Sequence, residues 1–412
     1  MKRAAAGAVL LVLGAAAVLA LRPLGTARDV RGSSTVEFTT TTVRIARPRP
    51  RAAWPMFGRD PARTASLPGS RLRPPFRRAW VAGGRSLIEF PPALAYGHLY
   101  YGDGGGRVYA VSAQTGARLW RYDGRRGIAA TPAVGTYAHG TVYEAFLNRF
   151  PSRAKTPADG AVVALAAGTG RLRWRAHVGA SETSPLLAEG RVYVGGWDGV
   201  VYALDARTGR RVWTFRTGGA VKGGLAAAGA RVYAGSYDGH VYALDAASGR
   251  LVWRAGGRAG WFRHGRFYAT PALAYGRVYV GSTDGGVYSF GARSGKLRWL
   301  HRTGGYIYGS AAVWRGLVLV GSYDHRFYAF DAATGDERWS FDAGAPISGS
   351  ATVIDGAVWF ATLRGRTYAL RARDGHLLWT FPDGRYAPAV GDGRRLYLTG
   401  YAAVYGLSPV RG

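Results

Sequence analysis

The chain contains no cysteine among its 412 residues. It therefore cannot form a disulfide, ligate an iron–sulfur cluster, attach a c-type haem or bind zinc through thiolates. This absence does not identify the compartment, because an exported protein with a large core can do without disulfides.

Other residues that build metal and catalytic sites are also scarce. Asn148 is the only asparagine, and the eight histidines show no metal-binding spacing. The sequence has no G-x-S-x-G elbow and no phosphate-binding P-loop. Calcium needs several converging oxygen ligands, whereas the recurring aspartates are spread one to a unit and are interpreted as turn residues. These aspartates are Asp103, Asp198, Asp238, Asp284 and Asp324. No catalytic residue and no metal ligand is predicted.

Acidic residues are few, with 24 Asp and Glu against 55 Lys and Arg, which gives a net charge of +31. Nearly all of this charge comes from arginine. Such an excess predicts attraction to anionic surfaces and says nothing about the fold.

The first 53 residues differ in composition from the rest. Lys2 and Arg3 precede an apolar run over residues 4–21, which suits either a short membrane anchor or a long signal peptide. Either alternative exports the remaining chain, and a buried core helix is the third reading of the run. We therefore predict a signal anchor or signal peptide over 1–27, a flexible Thr/Pro/Arg-rich linker over 28–53 and one folded domain over 54–412.

What the sequence has in abundance is glycine, tyrosine and tryptophan, arranged in a repeat of about forty residues. One tryptophan closes each of eight units. They are Trp80, Trp120, Trp174, Trp213, Trp253, Trp299, Trp339 and Trp379.

Each unit reads as four short antiparallel strands separated by Gly-rich turns, which is the size of one propeller blade. After Trp379 three strands follow without a closing tryptophan, and the missing strand is found around Trp80. We therefore predict an all-β, eight-bladed propeller that is closed by its N- and C-terminal strands and preceded by an N-terminal transmembrane or signal helix.

The units resemble the pyrroloquinoline quinone (PQQ) enzyme-type repeat, with its pattern Ala-x-Asp-x-x-Thr-Gly-x-x-x-Trp. The pattern is clearest as "ALDARTGRRVW" ending at Trp213 and as "AFDAATGDERW" ending at Trp339. The resemblance covers residues 54–412, includes the lead-in "WPMFGRDPARTA", and implies that each tryptophan docks between neighbouring blades.

The same resemblance points to two kinds of function. Quinoprotein dehydrogenases of this fold bind PQQ, usually with calcium, near the ring axis. The chain is also similar to the propeller lipoprotein of the outer-membrane β-barrel assembly machinery, although it lacks the cysteine of a lipoprotein. We predict a non-catalytic binding scaffold without a cofactor, and keep a PQQ- and calcium-dependent dehydrogenase that oxidises an alcohol or sugar as the alternative.

The two faces of the predicted disc differ in charge. One face, the basic face, contains the turns between the first and second and between the third and fourth strands. Its cations are Arg118, Arg171, Arg191, Arg210, Arg231, Arg250, Arg277, Lys296, Arg315 and Arg394. They are interpreted as ordinary soluble turn residues or, alternatively, as a surface for anionic lipid or a cell-wall polyanion. Nucleic acid is not expected as a partner, since the domain is predicted to be exported.

The opposite face, the connection face, contains the chain segments that join one blade to the next. These segments vary in length and chemistry while the blades repeat, so we place the binding site for a protein partner there. The candidate residues are Lys222, Trp261, Arg263, His264, Tyr306, Tyr308, Arg385 and Tyr386. A plug that fills the axial channel is the alternative role for the longest of these segments. The protein is predicted to be an extracytoplasmic monomer, membrane-attached or secreted.

Overall fold

The computed structural model describes residues 29–40, 54–70, 72–148, 159–257 and 265–410. These residues form eight four-stranded antiparallel blades, one of which gains a two-residue fifth strand parallel to its innermost strand, so the predicted all-β, eight-bladed propeller is confirmed. Helical structure within the described residues amounts to one 3₁₀ turn, Tyr137–His139. The predicted N-terminal helix over 1–27 lies outside the described residues.

The strands follow the chain in a regular order of blades, from the innermost strand to the outermost. Two strands precede the first complete blade: β1 (Ser66–Leu67) and β2 (Phe76–Gly83). Blade 1 contains β3 (Ala93–Ala95), β4 (His98–Gly102), β5 (Arg107–Ser112) and β6 (Arg118–Asp123). Blade 2 contains β7 (Ala133–Gly135), β8 (Thr141–Phe146), β9 (Gly160–Ala166) and β10 (Leu172–Val178). Blade 3 contains β11 (Leu186–Ala188), β12 (Arg191–Gly195), β13 (Val200–Asp205) and β14 (Arg211–Arg216).

The same order continues through the second half of the ring. Blade 4 contains β15 (Ala226–Ala228), β16 (Arg231–Gly235), β17 (His240–Asp245) and β18 (Leu251–Gly256). Blade 5 contains β19 (Ala272–Ala274), β20 (Arg277–Gly281), β21 (Gly286–Gly291) and β22 (Leu297–Arg302). Blade 6 contains β23 (Ala312–Trp314), β24 (Leu317–Gly321), β25 (Arg326–Asp331) and β26 (Glu337–Asp342). Blade 7 contains β27 (Thr352–Ile354), β28 (Ala357–Thr362), β29 (Arg366–Arg371) and β30 (Leu377–Phe381). Blade 8 contains β31 (Val390–Gly391), β32 (Leu396–Thr399) and β33 (Ala403–Pro409).

The two ends of the chain close the ring in blade 8. Its outermost strand is β2, which pairs antiparallel with β33 from Phe76–Pro409 to Gly83–Ala403. The innermost strands of consecutive blades contact one another, and β3 of blade 1 contacts β31 of blade 8. Closure therefore rests on strand pairing between residues more than 300 positions apart in the chain.

The tryptophan of each repeat lies between two blades. The Trp213 indole N–H donates a hydrogen bond of 3.0 Å to the Ala246 carbonyl of the next blade. The same bond to the next blade is made by Trp120, Trp174, Trp253, Trp299 and Trp339. A Cβ atom on Gly249 would lie 2.6 Å from the Trp213 ring, and Gly249 has a φ of +74°. The glycine of the repeat therefore provides both the turn conformation and the room for the neighbouring tryptophan.

The repeated aspartates stabilise turns. Asp205 accepts hydrogen bonds from the backbone N–H groups of Arg207 and Thr208 at 3.1 and 2.7 Å, and hydrogen bonds from Thr208 lower its pKa. On the connection face, Asp238 accepts hydrogen bonds from the Tyr242 hydroxyl and from the backbone of Gly218. These carboxylates are fully engaged by the scaffold, as expected of turn residues.

Several arginines of the basic face join neighbouring blades. Arg231 of blade 4 donates hydrogen bonds of 2.9 Å to the carbonyls of Ala292 and Arg293 in blade 5. Arg191 and Arg395 contact turn carbonyls of the next blade in the same way. The soluble-turn interpretation therefore does not describe Arg191 and Arg231, whose guanidinium groups hold blades together.

A segment before the propeller is also in contact with it. The sequence predicted a flexible linker over residues 28–53, but residues 29–40 are held against blades 5 and 6 by backbone and side-chain hydrogen bonds. Residues 41–53 of the predicted linker lie outside the described residues. We call residues 29–40 the strap.

Candidate functional site

The axial channel is filled by residues 54–65, the lead-in segment. Its backbone bonds to the innermost strands of blades 1, 2, 4, 5, 6 and 7 in turn. The bonded pairs are Trp54–Leu94, Pro55–Val134, Pro61–Ala227, Ala62–Leu273, Thr64–Val313 and Ala65–Val353, at 2.7 to 3.0 Å. The innermost strands would otherwise present unpaired backbone groups to the axis. The lead-in segment therefore plugs the ring from inside.

Arg63 connects this plug to blades 3 and 4. Its side chain is 1% exposed and donates hydrogen bonds to the carbonyls of Leu225 at 2.8 Å and Ser184 at 3.2 Å. Burial lowers the pKa of Arg63 to about 9, while the charge of Asp60 opposes this shift. The guanidinium thus remains charged at neutral pH and uses its fixed geometry to satisfy several carbonyls.

A cavity opens at the axis on the connection-face side of the plug, and its empty space of about 560 Å³ includes the open solvent at its mouth. We call it the axial cup. Its lining includes Phe57 from the plug together with Glu89, Glu182, Lys222, Tyr268, Tyr308 and Tyr386. Because most of the lining residues precede the innermost strands, the cup is built from the blade connections rather than from the repeated turns.

The charges in the cup are partly compensated. Lys222 Nζ lies 3.4 Å from the Glu182 carboxylate, 4.1 Å from the centre of the Trp197 ring and 5.3 Å from that of Tyr237. The ammonium therefore has a carboxylate and two aromatic faces around it. Burial raises the pKa of Glu182, which the Lys222 charge opposes, and burial together with the Glu182 charge raises the pKa of Glu89.

Aromatic side chains continue from the cup across blades 3 to 6. We call Trp197, Tyr237, Tyr268, Tyr306, Tyr308 and Tyr323 the aromatic arc. Its ring centres are 6.3 Å apart for Tyr237–Tyr268, 5.3 Å for Tyr268–Tyr308, 5.1 Å for Tyr308–Tyr323 and 6.1 Å for Tyr306–Tyr323. Tyr306 is 45% exposed, so the arc presents aromatic surface to solvent on the connection face.

The structure brings part of the predicted site together. Lys222, Tyr308 and Tyr386 line the cup, and Tyr306 contacts Tyr308 at 6.0 Å between ring centres. Arg385 lies over the ring of Tyr401 at 5.6 Å. The predicted residues Trp261, Arg263 and His264 lie outside the described residues.

Sequence reasoning missed several residues of this region. Trp197 and Tyr237 precede the repeated aspartate in a hairpin turn, so the repeat pattern assigns them to the scaffold. Glu182 is the one acidic residue in its connection, "GASETSP", and this departure from the basic composition was an available signal. The sequence did not indicate that residues 54–65 fill the axis, because they resemble a family lead-in and have no strand periodicity.

Seven of the ten cations predicted for the basic face are exposed in the structure. They are Arg118, Arg171, Arg210, Arg250, Lys296, Arg315 and Arg394. Arg277, which was predicted to belong to this surface, is 0% exposed beneath the strap and is removed from it. The exposed cations of the basic face come from seven different blades, so positive charge is distributed around the ring.

The fold and its repeats place the chain in the class of eight-bladed PQQ-repeat propellers. Three matches to the family model described as outer membrane protein assembly factor BamB cover residues 104–254, 197–307 and 301–409. Together they span more than half of the chain, so the protein belongs to this family. No curated protein matches the chain in sequence.

Solved structures of two kinds share the fold. BamB from Moraxella catarrhalis aligns with a TM-score of 0.66 and 19% identity, over 82% of this chain and 99% of that one. The quinohemoprotein alcohol dehydrogenase from Comamonas testosteroni gives 0.71 and 16%, over 87% and 81%. A europium-containing methanol dehydrogenase gives 0.72 and 14%, over 87% and 98%. At these identities the likeness shows the fold alone.

PQQ with calcium is the cofactor set that the dehydrogenase resemblance implies, and the cup can be tested for it. The cup offers two glutamates, and one of them is already paired with Lys222. Within the described ranges, no three acidic or histidine side chains are grouped to hold a metal ion. This donor set does not fit a calcium-bound quinone, which needs several anionic or amide oxygens on the metal.

None of the residues that the structure describes belongs to a helix long and apolar enough to cross a bilayer.

Proposed function

We propose that this protein is a non-catalytic binding propeller that captures a protein partner on its connection face, around the axial cup. The observation that supports this most directly is the aromatic arc beside the axial cup. Large aromatic side chains with a nearby cation are typical of interface anchors.

The plug supports a single route to the cup. Because the lead-in segment bonds to the innermost strands of six blades, the axis is filled on the basic side of the cup. A partner or ligand would therefore enter and leave from the connection face. The alternative of a plug formed by the connection around Trp261 lies outside the described residues, and residues 54–65 occupy the axis independently of it.

We further propose that the propeller is extracytoplasmic and held at a membrane through residues 1–27. Lys2 and Arg3 before the apolar run 4–21 support an anchor with a cytoplasmic N-terminus. The exposed cations of the basic face suit anionic lipid or a cell-wall polyanion. The monomeric state belongs to the same proposal, as does the absence of nucleic acid among the partners.

Site-specific photocrosslinking tests the binding surface. A photoreactive residue is placed at Tyr306 on the connection face or at Tyr137, which is 42% exposed in the turn of blade 2 on the basic face. We expect a discrete adduct from position 306 and none from position 137. The captured protein is then identified, purified and bound to the purified propeller. An equal adduct at both positions, or no reconstituted binding, would reject the proposed surface.

A quinoprotein dehydrogenase is the second candidate, and one feature of the cup favours it. Lys222 and Tyr268 line the cup and offer a cation and an aromatic ring to a planar anion. Titration of the purified protein with PQQ and calcium, followed by quinone absorbance and dye-linked oxidation of alcohols and sugars, distinguishes the two functions. Stoichiometric binding with turnover would replace the scaffold proposal by the enzyme.

A further inference from the structure

One position of the blade connections forms a ring around the axial cup. It lies four residues before the first residue of each innermost strand, so every blade contributes one side chain from an equivalent place. All of these side chains except Ala129 line the cup. We call the eight residues the axial ring. In blade order they are Glu89, Ala129, Glu182, Lys222, Tyr268, Tyr308, Ser348 and Tyr386.

The axial ring is divided by chemistry. Blades 1 to 4 contribute three charged side chains and one alanine, whereas blades 5 to 8 contribute three tyrosines and one serine. The Tyr268 and Tyr308 rings stand edge to face with 5.3 Å between their centres, so they form two walls of one corner. Phe57 of the plug also lines the cup. One side of the cup is therefore acidic and the other is aromatic.

The two sides act on each other across the cup. In a ring of eight blades, residues four blades apart lie opposite each other, which places Glu89 opposite Tyr268. Burial raises the pKa of Tyr268, and the charges of Glu182 and Glu89 add to this shift. Both carboxylates are therefore close enough to influence the aromatic side.

Glu182 already has a cation of its own. Lys222 Nζ lies 3.4 Å from its carboxylate and 4.1 Å from the centre of the Trp197 ring in blade 3. The ammonium is thus directed towards blade 3 and neutralises Glu182 there.

Glu89 has no comparable partner in the part of the chain that the structure describes. Burial and the charge of Glu182 both raise the pKa of Glu89, and no described cation opposes the shift. The ring position between the two glutamates holds Ala129, so no long side chain of the axial ring separates them. The Glu89 carboxylate therefore lacks a positive charge that a ligand can supply.

We propose that the axial cup receives an arginine side chain of the protein partner, with its guanidinium against Glu89 and its flat face towards the tyrosines of blades 5, 6 and 8. This inference rests on the proposed capture of a partner on the connection face. A guanidinium stacks on aromatic rings and matches a carboxylate with its N–H donors. It is also more weakly hydrated than an ammonium, so it loses less on entering a half-buried site.

The charge of the axial ring is opposite to that of the whole chain. The protein has a net charge of +31, whereas the ionised ring, with two glutamates and one lysine, has a net charge of −1. The overall charge repels a cation in solution. A cation that binds the purified protein is therefore held by local contacts.

Small probes test the cup without the partner. Nα-acetyl-arginine amide and Nα-acetyl-citrulline amide have nearly the same size and shape, but only the first is charged. Each probe is titrated into the full-length protein, and saturation-transfer NMR measures its dissociation constant. We expect the arginine probe to bind at least about five-fold more tightly than the citrulline probe, because a charged hydrogen-bond donor is stronger than a neutral one.

Variants assign that binding to the cup. Glu89→Gln removes the charge and keeps the shape, so it should reduce the affinity for the arginine probe to that for the citrulline probe. Glu337→Gln makes the same change of charge at an exposed position of β26 and should change nothing. Tyr308→Leu is a second variant of the cup, which should weaken the arginine probe while both carboxylates remain. Thermal melting of each variant checks that it is folded.

The reconstituted partner provides a second readout. Glu89→Gln should weaken partner binding at least about ten-fold, since it leaves the entering guanidinium without its carboxylate. Replacement of the entering arginine of the partner by glutamine should cause a similar loss, and the two losses should not add when the variants are combined. Additive losses would overturn the pairing of this arginine with Glu89.

The outcomes separate this inference from the proposed function. Equal affinities of the two probes, or an arginine probe that binds Glu89→Gln as it binds the parent, would overturn the arginine site. Capture of a partner from position 306 in that case would leave the proposed function intact. An arginine probe that depends on Glu89, without any partner captured from position 306, would reject the proposed function and with it the assignment of the arginine to a partner.

Discussion

The turns within blades and the connections between blades serve different purposes. In the turns, Asp205 and Gly209 recur with the same bonds and the same backbone conformation as their counterparts in other blades. In the connections, one equivalent position, four residues before the innermost strand, holds Glu182 in blade 3, Lys222 in blade 4 and Tyr308 in blade 6. The comparison teaches that repetition marks what the ring needs in order to form, and departure from it marks surface available for recognition.

Breaking the ring itself should have the largest effect. Removal of residues 54–84 deletes the plug and β2, so β33 loses its partner and six innermost strands lose backbone bonds. We expect loss of the cooperative thermal transition and aggregation through the exposed edge. A deletion of residues 29–53, which keeps all eight blades, should still melt cooperatively. Cooperative melting of the first variant would show that the ring is not closed by its termini.

Truncation of one docked tryptophan should have the next largest effect. Trp213 is 8% exposed and packs against the following blade, so Trp213→Ala should lower the free energy of unfolding by about 3–5 kcal/mol. Val212 beside it is 44% exposed, and Val212→Ala should change stability by less than about 0.5 kcal/mol. Denaturant unfolding measures both, and similar losses would contradict the docking role.

The ion pair in the cup should have an intermediate effect. Lys222→Met leaves the Glu182 carboxylate buried without its partner, which should cost about 1–3 kcal/mol. Because the cost comes from the unpaired charge, the double variant Lys222→Met/Glu182→Gln should recover most of it. Chemical unfolding of the two variants at pH 7 gives the comparison. An equally unstable double variant would show that Lys222 acts through packing alone.

Glu144 interrupts the repeat pattern within a blade, and its contribution to the free energy of unfolding should depend on pH. It is 0% exposed on β8, and burial raises its pKa well above 4.5. The folded state therefore keeps a proton that the unfolded chain releases, so this contribution to stability is full below pH 4.5 and is lost as pH rises through the raised pKa. Glu144→Gln should stabilise the protein by about 1–3 kcal/mol at pH 8 and reduce the slope of stability with pH.

An exposed glutamate provides the control for that measurement. Glu337 lies exposed on β26, and Glu337→Gln should leave the pH profile unchanged. If Glu144→Gln proves as pH-dependent as the parent, Glu144 is not the group that titrates.

Removal of an arc side chain should have the smallest effect on stability. Tyr306 is 45% exposed, so Tyr306→Ala should shift the free energy of unfolding by less than about 0.5 kcal/mol. Thermal melting beside Tyr137→Ala, the equally exposed residue of the other face, measures this shift. A loss of several degrees would identify Tyr306 as part of the scaffold.

The repeated parts of this molecule could be predicted from its sequence, whereas the variable connections could be predicted only in part. Blade number and the docking of Trp213 could be inferred because packing between identical units imposes one pattern on every copy. The cup could be inferred only in part. Lys222 and Tyr308 stood out as departures, but their contacts with Glu182 and Tyr268 depend on how separate blades converge at the axis. The strap was missed because its bonds are mostly made by backbone atoms, which leave no side-chain signal.

Binding of the reconstituted partner to purified parent, Tyr306→Ala and Tyr137→Ala propellers tests the central claim most directly. The account predicts that the dissociation constant of Tyr306→Ala is at least about ten-fold larger, since an interface anchor contributes roughly 1–2 kcal/mol or more. Tyr137→Ala should bind like the parent. Equal affinities of all three proteins, each with an unchanged melting temperature, would contradict recognition on the connection face.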